Sequence, residues 1–222
     1  MYKEKKYQLL IAIYIILSFP ATANSLGNGL FIKNQLNNFS TIKKNKSMVS
    51  EWELEGNMMT KYSNNITLIN KPELKIYNTK STVNVKSETA IDPSGDMEEI
   101  YLKNNVIIKR KYFSDAIPMK MYTSYAIYYV SKDLIETDRD VTIITSDSKT
   151  TGSGLSANMD TGIIMILSDA KRMIQNGDES RIIEGNQMIY NSNTKQWTVK
   201  DKAASDLKAT ITKKVITTFD TK

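Results

Sequence analysis

The side chains available for chemistry are restricted, because the 222-residue chain contains no Cys and no His. This composition excludes a thiol nucleophile, a zinc-thiolate site, a Ser-His triad and an ordinary transition-metal site. An enzyme would have to use carboxylates, Lys or Tyr. Candidate carboxylates such as Asp138, Asp140, Asp147 and Asp160 lie at turn signals, where Asp is more often a turn former than a catalytic or Ca²⁺-binding group. The composition therefore predicts a protein without metal or cofactor, and it argues against an enzyme without excluding one that works through carboxylates, Lys or Tyr.

A second candidate for chemistry is Gly152-Ser153-Gly154, which looks like the start of a nucleotide-binding loop. Such a loop opens a helix whose N-terminus carries the phosphate. Here the segment "LSANMD" follows, which alternates with a period of two, and no Gly-Lys-Ser/Thr comes after it. We instead predict a bend or bulge leading into a strand, in which Gly152 and Gly154 are structural glycines.

The elements that would position these residues are strands. From residue 48 onward, apolar residues recur two positions apart, which places them on one face of a pleat. Turn signals such as Asn104-Asn105 and Asp138-Arg139-Asp140 separate the apolar pairs. The pattern predicts an all-β domain of many short antiparallel strands. The apolar positions expected to face its interior are Ile66, Leu68, Leu74, Ile76, Val83, Val85, Ile100, Leu102, Val106, Ile108, Met119, Met121, Ile127, Val141, Ile143, Leu155, Met159, Ile163, Met165 and Leu167.

The strands also repeat along the chain. Segments centred on Ala126, Ala157 and Met188 share a polar lead-in, a short alternating strand, a turn and a second strand, and a looser copy surrounds Ala90. A period of about thirty residues with one hairpin per unit predicts stacked hairpins that cover each other's apolar faces. The alternative is that the segments are similar by chance, because all β-hairpins share this pattern.

The N-terminus predicts export from the cytoplasm. Basic residues precede an apolar run at Leu9–Phe19, and Ala21-Thr22-Ala23 forms a small-x-small cleavage pattern. Residues 1–23 are therefore either a signal peptide cleaved after Ala23 or a membrane anchor formed by residues 7–23, which reaches the lower length limit for a span. Residues 24–47 are expected to be a linker or a loosely packed lead-in strand.

Several short motifs follow one another between residues 47 and 176. They are Trp52-x-Leu54 followed by Tyr62, then Leu68-Ile69-Asn70-Lys71-Pro72-x-Leu74-x-x-Tyr77, Ile100-x-Leu102-Lys103-Asn104-Asn105-Val106, Thr145-Ser146-Asp147, and Thr151-Gly152-x-Gly154-Leu155-x-Ala157. In this order they resemble the LptC-like periplasmic lipopolysaccharide-export proteins, within the wider OstA-like group that includes LptA.

The resemblance implies a twisted, open β-jellyroll, here residues 48–176, whose two sheets enclose an apolar groove for lipopolysaccharide acyl chains. It also implies a place in the periplasm at the inner membrane, docking onto an LptB/LptF/LptG-like transporter and transfer of lipopolysaccharide to an LptA-like protein. It implies neither catalysis nor a nucleic-acid partner. The alternatives are an LptA-like soluble bridge, an exported structural β-solenoid without lipid cargo, and a chaperone for lipoproteins.

Two departures from the pattern concern the ends of the chain. The N-terminus looks partly cleavable, and residues 177–222 continue with an additional OstA-type β repeat. We expect the final strand of this repeat to be an edge that a downstream partner can extend by strand addition. The residues predicted to form that partner edge are Ile211, Val215, Thr217 and Phe219.

Lys109-Arg110-Lys111 is a short basic segment after an apolar strand. It is interpreted as a solvated turn, with contact to anionic headgroup phosphates at the groove mouth as the alternative. The formal charge of +6 comes from scattered Lys, which favours a soluble Lys-rich surface over a nucleic-acid-binding patch.

Overall fold

The protein is described by a computed structural model covering residues 30–114, 117–176, 179–200 and 216–217. The described chain is all-β and antiparallel, as the alternation predicted, with one 3₁₀ turn at Val130–Lys132 within it. No helix in this part of the chain is long and apolar enough to cross a membrane. The predicted signal or anchor at residues 1–23 lies outside the described residues.

Within these described ranges, fifteen strands form one hydrogen-bonded sheet. They are β1 (Ile32–Lys44), β2 (Ser50–Tyr62), β3 (Thr67–Asn70), β4 (Glu73–Tyr77), β5 (Ser81–Lys86), β6 (Thr89–Asp92), β7 (Glu99–Tyr112), β8 (Met119–Tyr129), β9 (Leu134–Ile144), β10 (Ser148–Asn158), β11 (Ile163–Asn176), β12 (Glu179–Gly185), β13 (Gln187–Asn191), β14 (Gln196–Lys200) and β15 (Ile216–Thr217).

The sheet is folded into two facing halves, and the long strands run through both. The first part of β2 pairs with β4 and its second part with β3. In the same way β7 pairs with β6 and then β5, and β11 pairs with β13 and then β12. We call the half that contains β4, β5 and β12 the first half-sheet, and the half that contains β3, β6 and β13 the second half-sheet. Because the same strands cross both halves, the two are hinged along one side.

The fold line is made of bulges. The pairing register shifts between Lys103 and Val106 in β7, and again between Tyr122 and Ile127 in β8. Asn104 and Asn105 occupy this line with φ angles of 61° and 49°, a left-handed conformation that Asn tolerates better than most residues. The prediction of a chain-reversing turn at Asn104-Asn105 is therefore wrong, because the residues bend one continuous strand.

The same correction applies to Asp138-Arg139-Asp140, which lies inside β9. There the register between β9 and β10 shifts between Ser153 and Leu155. Gly154 supplies the left-handed residue of this bulge with a φ of 73°. Bulges in neighbouring strands stand side by side, so the whole sheet bends along one line.

The two ends of the sheet extend beyond the expected jellyroll. At the beginning, β1 pairs with β2 from Ile32↔Tyr62 to Lys44↔Ser50, which favours the lead-in strand over the linker for this part of residues 24–47. At the other end, β12 and β13 both pair with β11, β14 pairs with β13, and β15 pairs with β12. The described part of residues 177–222 thus continues both half-sheets.

Candidate functional site

The interior lies between the two half-sheets and is a single cluster of buried apolar side chains. It receives alternate residues from strands of both halves, because each pleat turns every second side chain inward. Many of the positions expected to face inward are buried. These are Leu74, Ile76, Val83, Val85, Ile100, Leu102, Val106, Ile108, Met119, Met121, Val141, Ile143, Leu155 and Met159. Their burial shows where they point; contact with a lipid stays a prediction.

The inward assignment is wrong for β11. Ile164 and Ile166 are fully buried, whereas Ile163 and Leu167 are each 37% exposed and Met165 is half-buried. The segment "IIMIL" carries apolar residues on both faces, so alternation alone does not choose between them. Pairing with Tyr190 and Met188 of β13 fixes the register that turns Ile164 and Ile166 inward.

Leu68, Ile127 and Ile66 need the same correction. Ile69 is buried in place of Leu68, and in β8 the two residues on either side of Ile127, Ala126 and Tyr128, are buried in its place. Ile66 precedes β3 and is half-buried. Leu68 and Ile127 each have an apolar or aromatic neighbour, so the signal for the correct face was present but ambiguous. Ile66 lies between Asn65 and Thr67, and there the buried residue is the polar Thr67.

Other interior residues lay outside the list of positions expected to face inward. Ile135, Ala157, Met188 and Tyr190 are buried, and the last two come from β13 beyond the expected jellyroll. Met121, Met159 and Met188 are all fully buried. Met is unbranched and polarizable, and it adapts to irregular neighbours more easily than Ile or Val does. The interior can therefore repack around a guest at lower cost than a core of branched residues alone.

On the side opposite the fold line, turns of the two half-sheets meet across the gap between them. We call these turns, around Asn78 and Tyr112 on one half and Met159 and Ser192 on the other, the lips. Asn78, in the turn after β4, donates a hydrogen bond from Nδ2 to the carbonyl oxygen of Met159 at 3.4 Å. The hydroxyl of Tyr112, at the end of β7, lies 2.7 Å from the hydroxyl of Ser192 and donates to Oδ1 of Asn193 at 3.1 Å. These polar contacts join the first half-sheet to the second without any main-chain ladder.

Two cavities lie near the lips. The smaller, about 20 Å³, is apolar and lies among Trp52, Ile76, Ile100 and other residues of β2, β4, β7 and β8. The larger, about 280 Å³, has polar and apolar walls that include Tyr112, Met119 and Ser192.

Arg110 is the exception to the apolar interior. It is only 3% exposed, and its Nε donates to the hydroxyl of Ser81 at 3.3 Å. Burial lowers the pKa of this guanidinium, while Tyr112 and Asp160 act in the opposite direction. Lys109 and Lys111 point to the other face of β7. The basic segment is therefore part of a strand rather than a turn, and it sends one cation inward.

The acidic residues do not assemble into a site. Asp138 forms an ion pair with the adjacent Arg139, and Asp147 forms one with Arg172 at 3.0 Å. Asp133 is half-buried; burial raises the pKa of its carboxyl, which accepts a hydrogen bond from Tyr128. Within the described ranges no three His, Cys, Asp or Glu residues are grouped so that they could hold a metal ion.

The comparison with protein families gives one match. The model of the family described as "LptC: Lipopolysaccharide-assembly, LptC-related" matches residues 32–175. The match begins with β1 and ends in β11, so it contains the hinged sheet and leaves out β12 to β15. A comparison with curated proteins finds no match.

Proposed function

The chain belongs to the LptC-related family of lipopolysaccharide-assembly proteins, and we propose that the space between its half-sheets holds the acyl chains of lipopolysaccharide. Family membership supports a part in lipopolysaccharide export in general. The family is a transport component and not an enzyme family, which agrees with a chain that lacks His and Cys.

The finer proposal concerns the route of the lipid. The protein works in the periplasm at the inner membrane, receives lipopolysaccharide from an LptB/LptF/LptG-like ABC transporter and passes it to an LptA-like protein. Residues 1–23 would hold it at the membrane as an anchor, or be removed as a signal. This route rests on the family and on the export pattern of the N-terminus.

The observation that supports the proposal is an apolar interior that, in the part of the chain described, is bounded on one side only by a few hydrogen bonds between turns. The interior runs as one cluster from Leu54 of β2 to Tyr190 of β13. On one side continuous bent strands join the half-sheets, and on the other side the contacts described between the lips are hydrogen bonds between turns. A net contribution of about 0.5–1.5 kcal/mol per hydrogen bond is small enough for lipid burial to offset it. Separation at the lips would open the interior sideways to an acyl chain.

Site-specific photo-crosslinking tests this proposal. A crosslinker at buried Met121 or Ile143 is expected to capture lipopolysaccharide in cells. Matched crosslinkers at Lys120 and Thr142, one residue away on the opposite face of the same strands, should not. Urea unfolding of each purified variant verifies that the interior substitutions leave the protein folded. Equal capture at both sets, or capture at the outward set alone, would show that the interior is not the lipid site.

Two other functions each have an observation in their favour. The added strands β12 to β15 favour an LptA-like soluble bridge, since a bridge protein needs docking edges at both ends. The closed lips favour an exported structural β-solenoid without cargo. Membrane fractionation of the mature protein separates the first from an anchored component. Absence of lipopolysaccharide crosslinks from folded variants would favour the second.

A further inference from the structure

The buried cation Arg110 is only partly satisfied by the side chains around it. Its Nη1 is buried and has no hydrogen-bond partner among the described residues. In the described ranges no carboxylate lies within ion-pair distance of it; Asp160, on the opposite lip, contributes only through longer-range attraction. A buried charge with an unsatisfied donor is costly, and replacing such a group by an apolar one is often neutral or stabilising.

The surroundings of Arg110 indicate what could satisfy it. Its guanidinium carbon is 4.8 Å from the ring centroid of Tyr112, and that ring lines the 280 Å³ cavity at the lips. The cross-strand partner of Arg110, Met119, lines the same cavity. On one side of this point lies the apolar interior, and on the other lie the hydroxyls of Tyr112 and Ser192. Polar and apolar groups thus meet here, as they do in an amphiphile where its chains join its headgroup.

We propose that Arg110 is a phosphate-binding residue just inside the lips, which holds the phosphate of a lipid whose acyl chains occupy the apolar interior. The guanidinium is planar and always charged, and it binds phosphate through two parallel hydrogen bonds. The unpartnered Nη1 supplies a donor, and the hydroxyl of Ser81 lies beside Nε. Tyr112 covers the site while its hydroxyl is held by Ser192 and Asn193, and it uncovers the guanidinium when the lips part. This inference rests on the proposed function, because it assigns the headgroup of the same lipid.

The test compares two forms of the ligand with a matched pair of variants. Binding of purified lipopolysaccharide, and of the same material with its phosphates removed chemically, is measured for the full chain. Arg110→Met removes the charge and keeps an unbranched apolar side chain, and Arg110→Lys keeps the charge without the fork. Lys111→Met is the control, since it removes one charge from the exposed face of the same strand.

We expect Arg110→Met to weaken binding of the phosphorylated ligand roughly tenfold to a hundredfold, the effect of losing a hydrogen-bonded charge pair. Binding of the dephosphorylated ligand should not change. Arg110→Lys should fall between, and Lys111→Met should match the wild type. Thermal unfolding should show Arg110→Met to be as stable as the wild type.

The outcomes distinguish a failure of the phosphate assignment from a failure of the proposed function. A wild-type protein that binds neither ligand overturns the proposed function. A wild-type protein that binds both equally well overturns the phosphate assignment, whatever the variants do. If Arg110→Met weakens the binding of both ligands equally, Arg110 has a structural role only and the phosphate assignment is wrong. Inorganic phosphate at millimolar concentration should not displace the lipid, and full displacement would show a site for free phosphate instead.

Discussion

Gly152 and Gly154 lie two residues apart in one bend of β10 and are constrained in different ways. Gly154 has a φ of 73°, a left-handed conformation that costs an L-residue roughly 1–2 kcal/mol. Gly152 is limited by space, because a Cβ there would overlap the side chain of Ile166 and lie 2.8 Å from the carbonyl oxygen of Ser168. The sequence predicted a bend at these glycines, but the two separate reasons depend on where β11 lies.

The glycine at position 154 can be tested by three substitutions. Gly154→Ala should lower the free energy of unfolding by about 1–2 kcal/mol, because it adds left-handed strain and places a Cβ 3.0 Å from Leu167. Gly154→Asn makes the same Cβ contact but should show less left-handed strain, since Asn tolerates this conformation. Ser153→Ala, at a neighbour with an ordinary backbone, is the control. If urea denaturation finds Gly154→Ala as stable as the control, the positive φ at position 154 does not strain a residue with a Cβ, contrary to this prediction.

At the scale of single strands, alternation predicted which segments are strands but not where they bend. Asn104-Asn105 has the composition of a turn, yet strand pairing continues on both sides of it along β7. Whether such a pair reverses the chain or bulges a strand depends on the partner strands, which local sequence does not contain. The same dependence explains β11, where "IIMIL" fits either face and the pairing with β10 and β13 decides. Whether a segment forms a strand is determined by its local sequence. The position of the fold line and the pairing register are determined by the neighbouring strands.

The packing of the hairpin β13–β14 against β11 involves one large side chain, that of Trp197. The ring of Trp197 in β14 lies 4.7 Å from that of Tyr190 and 5.0 Å from the guanidinium of Arg172 in β11. Arg172 is itself held by Ser148 at 3.1 Å and by Asp147 at 3.0 Å. Trp197 therefore connects the edge of the second half-sheet to a fixed group of the first.

Trp197→Ala should loosen this end of the protein and leave the rest intact. Loss of the aromatic pair and of the cation–π contact should cost about 1–3 kcal/mol of local stability. Hydrogen exchange is expected to accelerate in β13 and β14 and to stay unchanged in β7 and β8. Thr198→Ala, at the next and exposed position, is the control. Faster exchange throughout the sheet would mean that the hairpin supports the whole fold, contrary to this expectation.

At the scale of the whole molecule, the described part of the sheet ends, beyond β11, in different strands on its two halves. The first half-sheet ends in β15, which pairs with β12 through Arg181↔Thr217 and Ile182↔Ile216. The second half-sheet ends in β14. A partner that adds a strand can dock at either edge. Of the predicted partner edge, Thr217 lies in β15, and Ile211, Val215 and Phe219 lie outside the described residues.

Two deletions distinguish the edges. Removing residues 201–222 takes away β15 and leaves β14 paired with β13, whereas removing residues 177–222 takes away both edges. If the final strand is the docking edge, each deletion should abolish binding of an LptA-like partner, measured by pull-down or by crosslinking at the edge. The shorter deletion should still capture lipopolysaccharide at Met121, because the interior from β2 to β13 remains. The longer one removes buried Met188 and Tyr190 and bares the edge of β11, so it should lose stability as well. Full partner binding by the protein lacking residues 201–222 would move the docking edge to β14, and full binding by the protein lacking residues 177–222 would place it outside the added strands.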